Sequence, residues 1–279
     1  MLTTPEVDTV LDWAQAAGMK TGIVTTARVT HATPAALYAK TAHRDWECDT
    51  MMPEESPEEA KDITKQFVES ERGQKINVML GGGLGSFTPA KDMSQEQMKG
   101  NMKFNCSRRD QVDMVQRWRE LHSKGTFVKN KDELFNVNKD SENLLGLFSW
   151  SYLPYDDELR HQDNVPSLVN MTSVALDLLM NKPDKGFFLM VEGGRIDHAN
   201  HFALGTRALS ETVAMDRAVE HILARVPLEE TLVIVTADHS HTLSISGYPG
   251  RTADITGVVR GDSGWVMKAD DGQPMSILR

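Results

Sequence analysis

Cysteine is almost absent from this 279-residue chain, which has two, Cys48 and Cys106. Neither sits in a Cys-x-x-Cys pair, so zinc-finger and thioredoxin-type readings lack support. One disulfide is possible, but nothing in the sequence demands it. Long apolar runs are missing too. The longest are about five residues, far short of the ~20 that span a bilayer. The opening Met1-Leu-Thr-Thr-Pro-Glu6 has no basic region and no apolar core, so it does not read as a signal peptide. Basic residues are in deficit, 30 against 40 acidic, for a formal net charge of -10. That balance argues against nucleic-acid binding, which uses a basic stripe. It leaves anionic substrates open, because bound cations reverse the local field. No repeat and no linker divides the chain, so residues 1–279 are expected to form a single domain.

What is present is an alternation of helical and strand patterns. Helices are expected over 5–17 (Val7, Val10, Leu11 and Ala14 on one face, Gly18 as stop), 33–42, 56–70 with Ser56 as cap, 110–122, 166–180 and 206–226. In the last, Leu209, Val213, Ala214, Ala218 and Ile222 are expected to point inward. Strands are expected over 21–26, 76–80, 187–191 and 231–236. Continuous apolar strands separated by helices predict an α/β fold, with a largely parallel central sheet covered by helices on both faces. Residues 93–105, polar and Met-rich, read as a surface insertion. Gly81-Gly82-Gly83 reads as a tight turn, since no Gly-Lys-Ser/Thr follows it.

The chemistry gathers where these strands end, which is where ligands bind in open α/β sheets. Phe187-Phe-Leu-Met-Val191 runs into Glu192-Gly-Gly-Arg-Ile-Asp197-His198-Ala-Asn-His201. Asp197 and His201, four apart, share one helix face. Thr231-Leu-Val-Ile-Val-Thr236 runs into Ala237-Asp238-His239-Ser240-His241. Two pairs of carboxylate and imidazole at two strand ends suit a divalent ion such as Zn²⁺. Glu192 reads as a carboxylate for a third ion. Thr33, a plain helix cap by itself, can complete a Mg²⁺ shell beside a carboxylate, with His31 next to it. Arg44, a surface arginine on the simplest reading, has the planar fork that clamps phosphate. Asn105-Cys-Ser and Asn170-Met-Thr match a glycosylation sequon, a pattern common by chance.

Taken together, Thr21-Gly-Ile-Val-Thr-Thr, Arg28-Val-Thr-His31-Ala-Thr33-Pro34-Ala, Val191-Glu-Gly-Gly-Arg-Ile-Asp-His with His201, and Thr236-Ala-Asp-His-Ser-His241 resemble the alkaline phosphatases. Gly247-Tyr248-Pro249 and Arg251 resemble the stretch after the third motif. The resemblance implies a phosphate monoester hydrolase with two Zn²⁺ and one Mg²⁺ that works through a phosphoserine intermediate. It implies Asp197 and His201 on the first zinc, Asp238 and His239 on the second, and Thr33 and Glu192 on magnesium. It also implies Arg44 on the phosphoryl oxygens, with His31 and His241 near the site. A homodimer that is secreted, periplasmic or lipid-anchored at the cell surface is the implied setting.

The family's Asp-Ser-Ala nucleophile motif does not occur here, and Asp262-Ser263-Gly264 is its nearest imitation. The implied domain is therefore truncated at both ends, without the nucleophile segment and without a downstream histidine ligand. A competing reading is a non-catalytic remnant that binds metal weakly or pairs with a partner. A sulfatase or a metal-dependent phosphosugar mutase is a third. Cys106-Ser-Arg-Arg109 lacks a sulfatase's proline, and the Val-Glu-Gly-Gly-Arg run speaks against the mutases.

Overall fold

A single strand organises the sheet. In the computed structural model β1 (Lys20–Arg28) is buried from Thr21 onward and pairs in parallel with both β2 (Val78–Gly82) and β5 (Phe187–Glu192). With β3 (Thr126–Val128) and β4 (Leu144–Leu147), neither foreseen from the sequence, the sheet order is β3-β4-β2-β1-β5, every pair parallel. The expected mixed α/β fold with a parallel central sheet is what the chain adopts. The structure describes residues 7–57, 59–94, 104, 106–159, 161–181, 185–242, 244–247, 249–261, 263–268, 274–275 and 277–278. These fall into two compact units. One comprises residues 1–154 and 162–192, and the other 155–161 and 193–279.

In the first unit, α1 (Val10–Ala16) starts later than the apolar pattern predicts. Thr9 and Asp12 close a capping box there, leaving Val7 76% and Val10 51% exposed. Next comes α2 (Ala32–Tyr38). The helix expected to open at Ser56 opens instead as α3 (Ile63–Glu69), where the Asp62 side chain accepts from Lys65 N; local capping chemistry outweighs the Ser-Pro signal. Short helices α4 (Glu71–Gln74) and α5 (Leu84–Phe87) follow. Gly81 and Gly82 belong to β2, and Gly83 alone turns, with φ +100°. A Cβ on Gly82 would lie 2.0 Å from Ser151 O, so only glycine fits. Then come α6 (Met114–Leu121), which starts at the Asp113 cap rather than at residue 110, and α7 (Lys131–Phe135). In the second unit lies α8 (Asp156–Leu159). Back in the first, α9 (Leu168–Leu179), boxed by Ser167 and Asn170, packs on β1 and β2. Asn170 is thus spent on capping, and Asn105 lies outside the described residues, as does most of 93–105.

Cys48 and Cys106 form a disulfide, both fully buried against Phe104. Beside it Arg108, 0% exposed, is held by Asp62 and Asp110. Burial raises the Asp62 carboxyl despite Arg108. Asp110 is less buried, so hydrogen bonds from Arg108 and Lys65 overcome its burial and hold it well below the usual carboxylate range.

The second unit contains α10 (Arg195–His201) and α11 (Gly205–Leu223) as well as α8. The buried stripe of α11 is Gly205, Ala208, Glu211, Ala214 and Ala218; Leu209 and Val213 are 40% and 46% exposed rather than inward. Small residues let α10 and α8 approach closely, and Glu211 joins them because it accepts from Asp156 N at 2.6 Å. Burial, reinforced by Asp156 and Asp157 against Arg195, pushes the Glu211 carboxyl up to about 7.

The expected strand at 231–236 does not form. Leu232, Ile234 and Val235 are 84%, 73% and 63% exposed, and among the described residues no backbone hydrogen bond joins this stretch to another strand. An apolar run becomes a strand only where a neighbour completes its ladder. Past it the unit is held by isolated bridges such as Arg260–Val266 and Lys268–Pro274.

Two stability experiments follow. Arg108→Met leaves Asp62 buried and unpaired and is expected to cost about 3–5 kcal/mol in urea unfolding, with part recovered by adding Asp62→Asn. Glu211 binds a proton more tightly folded than unfolded. Its contribution is therefore complete below pH ~4.5 and is lost as pH rises through about 7. Melting curves from pH 5 to 8 should show that decline in the native chain and a flatter profile in Glu211→Gln.

Candidate metal centre

β1 is the point where chain connections diverge to either side of the sheet, and its carboxyl end is where such folds bind ligands. Register places Thr25 opposite Glu192, and the Thr25 hydroxyl donates to Glu192 Oε2 at 2.5 Å. The last residue of β5 is therefore an oriented carboxylate. Beyond β1, His31 occupies the N-cap position of α2 without a side-chain cap bond, its ring edge-on to Tyr152 at 5.6 Å. Thr33 is not the cap; it lies exposed in the first turn of α2. Arg44 is exposed at the corner of a turn closed by Trp46 N donating to His43 O.

The second unit gathers the other candidates. Gly194 caps α10, and Asp197 and His201, one turn apart, bring His201 Nε2 within 3.5 Å of Asp197 Oδ1. His241 comes closer, with Nε2 2.6 Å from the same oxygen. His239 Nε2 lies 3.7 Å from Asp197 and 3.3 Å from Asp238. The His241 ring is edge-on to both His201 and His239, at 4.9 and 5.1 Å. Burial opposes charge on Asp197, but the His241 hydrogen bond and the neighbouring imidazoles lower its pKa. Donor atoms of Asp197, His239 and His241 all fall within 4.8 Å of one another. One carboxylate among imidazoles, with Asp197 36% exposed, fits a Zn²⁺ site with an open side.

His241 is the residue that sequence reasoning underweighted. In an extended chain alternate residues share a side, so the spacing of His239 and His241 was the available signal. Arg195 went unnoticed as well; its guanidinium lies 3.7 Å over Tyr155 and 3.3 Å from His198 Nδ1. Tyr248 and Asp262 lie outside the described residues, and Arg251 is exposed.

The family model of the alkaline phosphatases matches residues 2–273. The chain is 42% identical over 257 residues to an alkaline phosphatase of Gadus morhua, covering 91% of this chain and 53% of that protein. It is 38% identical over 264 residues to the membrane-bound alkaline phosphatase of Bombyx mori, covering 92% and 46%. The crystal structure of Thermus thermophilus alkaline phosphatase superposes with TM-score 0.61 at 30% identity, over 78% of this chain and 38% of that one. The chain thus spans about half the length of the curated relatives it matches.

Zinc titration of the 279-residue chain by calorimetry tests the cluster. Asp197→Ala is expected to remove the tightest binding. His241→Ala should weaken it by about 10–100-fold, as loss of an orienting or ligating neighbour does. Unchanged affinity in both would show that the cluster is not a metal site.

Proposed function

Because this chain belongs to the alkaline phosphatase family, we propose that it carries the metal-binding and phosphate-binding residues of a phosphate monoester hydrolase. The observation that carries this reading is the convergence of His201, His239 and His241 on Asp197. We assign Asp197 and His201 to a first Zn²⁺, Asp238 and His239 to a second, and Thr33 and Glu192 to Mg²⁺. His241 orients Asp197, and the Thr25 hydroxyl orients Glu192. When bound, such ions neutralise the attacking and leaving oxygens of an in-line displacement. Arg44 presents its planar fork to the phosphoryl oxygens, and its exposure leaves it free to meet substrate. His31 sits beside Thr33 at the carboxyl end of β1. The phosphoserine step would use a serine that we do not assign within these 279 residues.

Residues 1–279 act in this reading as one domain of a homodimeric protein that is lipid-anchored at the cell surface, secreted or periplasmic. Among the described residues no helix is long and apolar enough to cross a membrane. Nucleic acid has no place in it, given the net charge of -10.

Hydrolysis of a chromogenic phosphate monoester at alkaline pH, with Zn²⁺ and Mg²⁺ supplied, tests the proposal in the full-length protein containing these residues. Changing Asp197 and His201 together to Ala is expected to lower turnover by at least ~10²-fold; full activity in that variant overturns the assignment. The same assay on the 279-residue chain addresses the non-catalytic alternative, which turnover above background refutes.

A further inference from the structure

The loop bearing Arg44 has few anchors near the guanidinium itself. His43, Arg44 and Asp45 are exposed, and their turn is held by Trp46 N donating to His43 O at 3.2 Å, Glu47 N donating to Asp45 O at 2.7 Å and Asp45 N donating to His43 Nδ1 at 3.2 Å. The anchor lies one residue beyond Trp46. Glu47 is 2% exposed, and its carboxylate accepts three hydrogen bonds, from Arg28 Nε at 2.8 Å, Arg28 Nη2 at 2.6 Å and Thr30 Oγ1 at 2.6 Å. Its backbone carbonyl accepts from the Thr64 hydroxyl at 2.7 Å, and Trp46 O accepts from Ile63 N at 2.8 Å. Arg28 is the last residue of β1, and its guanidinium lies between the rings of Phe104 and Tyr152 at 4.0 and 4.2 Å. Burial works against the charge on Arg28, but the Glu47 hydrogen bonds overcome it and raise its pKa. Thr30 leads directly into His31 and Thr33, while Tyr152 packs on His31. Glu47 thus ties the end of β1 and the entry to α2 through its carboxylate, and its backbone carbonyl, with that of Trp46, ties the exit of the Arg44 turn to the start of α3.

We propose that Glu47 is a positioning residue for Arg44, fixing the turn so that the guanidinium meets phosphate already oriented. This rests on the reading of Arg44 as the phosphate clamp. A bidentate clamp depends on placement, because a displacement near 1 Å can cost up to ~10²-fold. Holding the turn through a carboxylate that is itself doubly bonded to Arg28 supplies that placement without a ligand present.

The test is inorganic phosphate binding by calorimetry, on the full 279-residue chain with Zn²⁺ and Mg²⁺, in Glu47→Gln, Arg44→Ala and the pair combined. Glu47→Gln is expected to weaken phosphate about 10-fold while leaving zinc affinity unchanged. In the Arg44→Ala background it should add nothing further, a coupling that general destabilisation would not produce. Amide exchange at Trp46 should quicken in Glu47→Gln. Native phosphate affinity in Glu47→Gln, with Arg44→Ala still defective, overturns the positioning role and leaves the clamp intact. Native affinity in Arg44→Ala, or no phosphate binding by the unaltered chain, overturns the clamp and the positioning role together. Should Glu47→Gln fail to fold, Arg28→Met with Glu47→Leu removes both buried charges. That pair is expected to melt near the native temperature with phosphate binding still weakened, and recovery of native affinity in it overturns the proposal.

Discussion

The hydrogen-bonded position of β1 at the centre of the parallel sheet is the constraint on which the first unit depends. Its backbone satisfies ladders on both sides at once, and it is buried from Thr21 onward, as strands of a helix-covered parallel sheet are. The registers that follow are not free. Lys20 opposite Phe187 forces Thr25 opposite Glu192, and that is the step at which an apolar ladder becomes a polar site. A slip of one residue would turn the Thr25 hydroxyl away from the Glu192 carboxylate. The ladder thus fixes both the fold and the orientation of one candidate ligand.

Two buried arginines show how the same unit holds its irregular segments. Arg108 joins Asp62, the cap of α3, to Asp110, and Arg28 joins the end of β1 to Glu47. Each guanidinium is desolvated, so neither pair is a cheap source of stability. Their value lies in direction, since the planar fork accepts carboxylates only in certain geometries. Between them they pin residues 47, 62 and 110, and the Cys48–Cys106 disulfide closes the same neighbourhood covalently. The loop carrying Arg44 is bounded on its far side by these anchors.

Much of this was legible in the sequence. Parallel strands announce themselves as unbroken apolar runs, so β1, β2 and β5 were readable, and so was the shared face of Asp197 and His201. The misreadings have a common cause. Periodicity reports what a segment would do with a partner, not whether a partner exists. Leu209 and Val213 carry the apolar signal of α11, yet Ala208, Glu211 and Ala214 form the buried stripe because α8 and α10 need closeness more than bulk. β3 and β4 were missed because strands of three and four residues leave too little pattern. The disulfide and the Glu47 network join residues 58 and 19 apart, distances over which local pattern carries no information.

The same lack of a neighbouring strand governs residues 231–236, which lead into the candidate metal centre. Among the described residues no ladder holds the segment that delivers Asp238, His239 and His241, and the His241–Asp197 side-chain bond joins it to α10. A donor set on a rigid strand would have its ordering cost met by folding. Here part of that cost falls on the cluster itself. Asp197, with three imidazole nitrogens within 3.7 Å of its carboxylate, gathers the donors. A cation placed among them would replace imidazole–carboxylate contacts by stronger ones, and the binding free energy would be shared with ordering of the segment, as in other sites that couple metal to structure.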